Sequence, residues 1–238
     1  MILRHAVFSW NLQSVAIDNL FREFLGLLDS PPAPEGRSAM SELDDKIADV
    51  RPSWVRTGDG ADDQVLEDNW LFQLRKERFQ SRRSGKLHDY YVLHLADAVH
   101  VVALTPDDRV LLVRQFRAGS GEDSLEIPGG LVDPGEDPCE AGARELLEET
   151  GHAGDPPELL GTLWSNPSLL TSRISTVVIR NVRPVAQPRF DRHEELTLEQ
   201  VPARDIPRLI RDGRISHALV VAGLLWWLGT KTPGMFDA

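Results

Sequence analysis

The segment that most constrains this chain is 130-GLVDPGEDPCEAGARELLEETGH-152. Its ends define a helix. Asp137 is a good N-cap, Pro138 suits the first turn, and Glu140 stands three residues after the cap. Gly151 supplies the left-handed residue that closes many helices. A helix is therefore expected over 138–150. Ala141, Ala143, Leu146 and Leu147 give it a narrow apolar stripe, so it must pack against another layer. Gly142 in its interior costs about 1 kcal/mol relative to alanine, which predicts a close approach there.

The same segment carries five Glu and two Asp in 23 residues. Glu145 and Glu149 are one turn apart on one face, and Glu148 borders that face. Such like charges cost an isolated helix a few tenths of a kcal/mol per pair. A wet surface tolerates this, but a divalent cation between the carboxylates makes use of it. Magnesium takes hard oxygen ligands, keeps several waters, and uses one or two carboxylates together with substrate phosphates. Arg144 lies beside the acids, and its fork of donors can orient a carboxylate.

Around this helix the pattern is α/β. Residues 98–105 read as a strand, 106–108 as a turn, 109–117 as the returning strand, and 123–130 as a short strand ending in Pro-Gly-Gly. Apolar runs at 158–164 and 174–180, a mixed strand near 194–201, and helices near 205–212 and 216–228 follow. Upstream, 70–80 and 88–95 read as two strands around a Ser-Gly turn. The six Lys and Arg between 75 and 86 are either a solvated hairpin face or a phosphate patch. Residues 41–69 are acidic and broken by Pro and Gly, so loose structure is expected.

Residues 1–30 read as amphipathic helix, with Ile17, Leu20, Phe21, Phe24, Leu25 and Leu28 in helical register. A breaker, 30-SPPAPEGRS-38, follows, and Met40 is a second plausible start. This helix is either a docking helix or upstream extension, or a dimerisation or membrane-surface helix. The expected organisation is a helical extension and linker at 1–39, an acidic segment with a β-hairpin at 40–95, and the main domain at 96–232.

The 238 residues suffice for a substantial core. The net charge of −11 would repel nucleic acid and anionic membranes. Cys139 is the only cysteine, so no disulfide within the chain is possible, which suits a cytoplasmic setting. The longest apolar run, Ala218 to Leu228, has 11 residues, too short for a bilayer. No signal peptide is expected, because polar residues interrupt the N-terminal apolar pattern.

Numbered from Gly130, the segment resembles the Nudix box, G-x5-E-x7-R-E-U-x-E-E-x-G-U, where U is a bulky apolar residue. Gly130, Glu136, Arg144, Glu145, Leu146, Glu148, Glu149 and Gly151 match, and only the last position departs, as His152. The resemblance implies an α/β fold, a Nudix α/β/α sandwich around a mixed sheet, preceded by a small β-rich segment and the N-terminal helix. It implies metal-dependent hydrolysis of a nucleoside diphosphate linked to another moiety. Glu145, Glu148, Glu149 and the carbonyl of Gly129 would bind Mg2+, with Mn2+ as an alternative. Arg144 would hold the glutamates, and Glu148 and Glu149 would also serve the chemistry.

VRQFR at 113–117, LEIPGG at 125–130, Pro167 and the C-terminal strand–helix–turn–helix are similar to the ADP-ribose and nucleoside-diphosphate-sugar branch. In that branch a loop glutamate assists metal binding or acts as base, here Glu194 or Glu195. Arg117 or Arg114 would contact phosphates. Alternation along their strand favours Arg117. The resemblance also implies a homodimer in which residues 70–95 contribute to the partner's site. A dinucleotide substrate such as NADH, or a ligand-sensing domain without turnover, are the alternative readings. The base-stacking aromatic stays open among Trp10, Trp54, Trp70, Phe72, Tyr90 and Trp164.

Overall fold

The computed structural model describes residues 52–60, 62–189 and 195–231. The expected N-terminal helix, residues 41–51 of the acidic segment, and Glu194 lie outside the described residues. From Trp54 onward the chain clusters as one unit.

In chain order the strands are β1 (Trp54–Arg56), β2 (Gln64–Asp68), β3 (Gln73–Ser81), β4 (Leu87–His94), β5 (Ala98–Ala103), β6 (Arg109–Arg117), β7 (Glu122–Glu126) and β8 (Gly129–Leu131). Helix α1 (Pro138–Thr150) follows, then β9 (His152–Ala153), β10 (Glu158–Trp164), β11 (Arg173–Ile179), β12 (Arg183–Pro184) and β13 (Thr197–Pro202). The last elements are α2 (Ile206–Arg211) and α3 (Ala218–Thr230).

The central strands are apolar on both faces, as strands covered on both sides must be. From β5, Val99, Val101 and Ala103 join one core while Val102 joins the other. Leu111 on β6 and Val177 and Ile179 on β11 belong to the first side, with Ala141 and Leu146 of α1. Val110, Leu112 and Val178 belong to the second, with Ile206 and Leu209 of α2 and Val220, Leu224 and Trp227 of α3. One helix layer therefore covers each face, giving the α/β/α sandwich. Each fully buried Val, Leu or Ile contributes roughly 1.5–3 kcal/mol of transfer free energy.

One sheet has the order β10-β11-β5-β8, with β11 and β5 parallel and the other pairs antiparallel. The second is β13-β6-β7, antiparallel throughout. A bridge between Leu104 and Val110 links β5 to β6. The expected strand at 123–130 is two strands in different sheets. Pro128, which lacks a backbone donor, sits between them and accepts from Val101 N–H at 2.8 Å. The break matters for the site, because β7 carries Glu126 while β8 places Gly129 and Gly130 opposite His100 and Val99.

The N-terminal sheet is built on β3, which pairs with β4 and also with β1 and β2. Loose structure was expected over 41–69, yet its described part carries β1 and β2. All five residues of β2 are exposed. It is held through its backbone on β3, so no apolar alternation marks it. In the basic run, Lys76 and Arg78 pair with Asp89 across the strands at 2.9 and 2.8 Å. Arg82, Arg83 and Lys86 are exposed around the turn.

Candidate active site

Helix α1 is assembled by the devices visible in its sequence. The Asp137 carboxylate accepts from Cys139 N–H at 2.8 Å. Gly151 closes the helix at φ 68°, its N–H donating to the Leu147 carbonyl. Gly142 lies against β5 and β11. A methyl group there would stand 3.2 Å from Val101 Cγ2 and 3.4 Å from Val177 Cβ. The glycine thus lets the helix sit tightly on the sheet. His152, the departure from the motif, is buried, and its Nδ1 lies 2.7 Å from the Thr150 carbonyl oxygen. It packs the helix exit and pairs through β9 with β12.

Arg144 ties the acids together. Its Nε and Nη2 each donate to Glu136 at 2.9 Å, a bidentate pair. Its Nη1 donates to Glu145 at 2.8 Å and to Glu148 at 3.2 Å, and Nη2 also reaches the Leu131 carbonyl at 3.0 Å. The Arg144 fork holds the Glu136 carboxyl down at about 2. The same contacts raise the Arg144 pKa, with Glu136 the main cause. Glu136 additionally accepts from Asp133 N–H at 2.9 Å and so closes the loop before the helix.

Glu149 is 4% exposed. Its carboxylate accepts from Gly129 N–H at 2.9 Å, fixing the helix face against β8. Gly130 is needed for the same approach. A methyl group there would fall 2.5 Å from Glu145 Oε1, so a side chain would occupy the space of the carboxylate itself.

These acids form one wall of a cavity of about 820 Å3, with Gly129, Gly130, Arg144, Glu145, Glu148 and Glu149 along it. That volume suits a small-molecule ligand. Among the described residues no three His, Cys, Asp or Glu side chains already form a metal cage. A cation of the magnesium type does not require one, since water and substrate phosphate complete its shell. Each carboxylate retains acceptor capacity beyond its bond to Arg144 or Gly129. The oxygen-only donor set and the space kept open by Gly130 therefore fit a hard divalent cation, held by Glu145, Glu149, Glu148 and the Gly129 backbone.

The rest of the lining brings in residues from other elements. Arg117 lines the cavity and forks onto Glu126 at 2.8 and 2.7 Å. Burial pushes the Glu126 carboxyl up, but the Arg117 fork outweighs it and the pKa ends below its ordinary value. Arg114 is outside the lining and donates to Glu199 on β13 at 2.9 and 2.6 Å. Glu195 is exposed and outside the lining as well.

The sequence reading did not single out His100, His217 or Arg189, which also line the cavity. His100 is buried, bonded to Thr176 Oγ1 at 2.7 Å, and packed on Gly223 of α3. Burial lowers its pKa to about 4, helped by His217, so it is neutral at pH 7. Of the aromatics left open, Trp70 lines the cavity while 91% exposed, an unusual state for so large an apolar ring. Trp54 and Tyr90 instead stack edge-on within the N-terminal sheet, and Trp164 lies under the Arg173 guanidinium.

Comparison with known proteins identifies the family. The NUDIX domain family model matches residues 94–222, more than half of the chain. The ADP-ribose pyrophosphatase of Mycobacterium tuberculosis (strain ATCC 25618 / H37Rv) is 27% identical over 164 residues, covering 68% of this chain and 79% of that protein. The ADP-sugar pyrophosphatase of Mus musculus is 38% identical over 139 residues, 53% of this chain and 63% of its own length. The ADP compounds hydrolase NudE of Escherichia coli (strain K12) is 31% identical over 128 residues, 54% of this chain and 68% of its own. A crystal structure of an ADP compounds hydrolase superposes with a TM-score of 0.65 at 24% identity, covering 76% of this chain and 96% of that one, which shows the fold. With the complete charged set of the box on α1 and the loop before it, and the family model across its core, the chain belongs to the Nudix family.

Proposed function

We propose that this protein hydrolyses the pyrophosphate bond of ADP-linked compounds, with ADP-ribose or an ADP-sugar as the preferred class. The observation that carries the reading is the intact acid wall. Arg144 engages Glu136, Glu145 and Glu148, Glu149 is pinned to Gly129, and Gly129, Arg144, Glu145, Glu148 and Glu149 line one ligand-sized cavity. A domain that only sensed a ligand would have no need of the complete set. The relatives named for ADP-ribose, ADP-sugars and ADP compounds support the substrate class.

Glu145, Glu148, Glu149 and the Gly129 carbonyl hold the divalent cation, Mg2+ or Mn2+. When bound, such cations neutralise the pyrophosphate and lower the pKa of a water for attack on phosphorus. Arg144 keeps the glutamates in place. Arg117 stands across the cavity as a phosphate contact, kept in position by Glu126. Arg114, committed to Glu199, is the lesser candidate. Trp70 offers an exposed ring at the cavity for stacking on a base. Glu194 and Glu195, which precede β13 in the sequence, are the base candidates implied by the family resemblance.

The exposed apolar side chains of the N-terminal sheet, Val65, Leu66, Leu71, Leu87 and Tyr91 among them, support a homodimer through this region. The division into 1–39, 40–95 and 96–232 is kept as part of this reading, and the family match over residues 94–222 supports the last of the three. A cytoplasmic protein without nucleic acid or membrane partners suits the acidic charge. In addition, no helix among the described residues is long and apolar enough to cross a membrane.

The test is a panel of nucleoside-diphosphate compounds with and without a divalent cation. The reading expects AMP from ADP-ribose or an ADP-sugar, abolished by a chelator and restored by Mg2+. No turnover of any ADP-linked compound would overturn it.

A further inference from the structure

Two of the cavity's arginines are already committed to protein acceptors. Arg117 is forked onto Glu126, and Arg144 serves Glu136, Glu145, Glu148 and the Leu131 carbonyl. The lining also carries Asp133, Glu145, Glu148 and Glu149, so an entering pyrophosphate meets a surplus of negative charge. Arg189 lines the same cavity, and its guanidinium makes no ion pair or hydrogen bond with a described residue.

Its backbone, by contrast, is firmly held. Arg189 N–H donates to the Glu148 carbonyl at 2.7 Å. Just before it, Val185 N–H and Ala186 N–H both donate to the Gly151 carbonyl, at 2.9 and 3.1 Å. The 185–189 segment thus takes up carbonyls at the end of α1 that the helix itself leaves unpaired. Gly151 makes this docking possible. A methyl group there would lie 2.2 Å from the Ala186 carbonyl oxygen and 3.2 Å from Pro188 N. The motif glycine therefore does two things: it adopts the left-handed cap, and it admits the segment that carries Arg189 to the metal-binding helix.

We propose that Arg189 is a substrate-binding residue, its guanidinium contacting the pyrophosphate oxygens. The inference rests on the hydrolase reading above. A guanidinium matches phosphate oxygens through paired donors, and an exposed side chain on an anchored backbone reaches them without rebuilding the fold. Docking to α1 fixes its backbone beside the helix whose carboxylates would hold the cation, so that cation and guanidinium could grip the same group.

The experiment compares the full chain with Arg189→Ala and Arg189→Lys, by steady-state kinetics on ADP-ribose with Mg2+ and by inhibition with inorganic pyrophosphate. Loss of a charge-assisted hydrogen bond predicts a KM raised about ten-fold or more in Arg189→Ala, with a smaller change in kcat. Pyrophosphate inhibition should weaken in parallel, Arg189→Lys should recover most of both, and the melting temperature should stay unchanged. An active parent with unaltered KM in Arg189→Ala would overturn the assignment to Arg189 alone. So would a raised KM with unaltered pyrophosphate inhibition. A parent that turns over no ADP-linked compound would remove the hydrolase reading and this inference together.

Discussion

Two arginine–carboxylate clusters in this molecule have different purposes. In the N-terminal sheet, Arg56 contacts Asp63 and, at 3.1 Å, Glu77, while His94 Nε2 lies 2.7 Å from the same Glu77. Glu77 is buried. In the box, one Arg144 serves three glutamates, and Glu149 accepts from Gly129 N–H beside them. The first cluster contributes no residue to the cavity lining. The second leaves a negative surplus facing a cavity. Pairing of buried charge is the mark of structure, and uncompensated charge aimed at open space is the mark of a site.

The widest test of that contrast removes each arginine. Arg144→Ala should cut kcat/KM about ten- to a hundred-fold, since in the proposed reading it orients the metal-binding carboxylates without touching the reacting atoms. Added Mg2+ should recover part of the loss. Arg56→Ala should leave kcat/KM per folded molecule within about two-fold. Its cost is stability, up to roughly 3 kcal/mol, because buried Glu77 loses a partner. Thermal melts alongside kinetics separate the two, and the contrast fails if Arg56→Ala is the one that disables turnover.

Acid sharpens the comparison. The folded Glu136 carboxyl titrates at about 2, against an ordinary value of 4.5. A depressed carboxyl stabilises the fold above its unfolded pKa and loses that contribution as pH falls toward the folded one. The difference in melting temperature between the parent and Glu136→Gln should therefore be full above about pH 5, and should shrink between 4.5 and about 2. A constant difference across that window would show that Arg144 does not stabilise the charged form.

The smallest effect concerns the helix itself. Asp137→Ala removes the cap on Cys139 N–H and should cost about 1 kcal/mol in a denaturant melt. Its kcat per folded molecule should remain unchanged. A large catalytic defect would mean that Asp137 has a role beyond holding the helix start.

The legibility of the two clusters differs for the same reason that their functions do. Glu136, Arg144, Glu145, Glu148 and Glu149 lie within 14 residues of one another, so helical periodicity alone brings most of them together. Asp137, Gly142 and Gly151 could be read as cap, close approach and exit, and the structure has them so. Residues Arg56, Asp63, Glu77 and His94 meet only through the pairing of β3 with its neighbours, which spacing does not reveal. Likewise β2 has no apolar face to announce it. The rest of the lining, with Glu126, His100, His217 and Arg189, comes from several separate segments. Arg189 lies on a backbone defined by helix-end carbonyls, a long-range relation with no local signal. Alternation did favour Arg117 over Arg114 as the cavity-facing side chain.

The most direct test of the central claim, that the acid wall of α1 performs hydrolysis, is the turnover of ADP-ribose by Glu149→Gln with Mg2+. The substitution keeps the shape of the side chain and removes its charge. A rate at least a hundred-fold below the parent is expected, with the melting temperature close to the parent's. A folded Glu149→Gln protein releasing AMP at the parental rate would contradict the account.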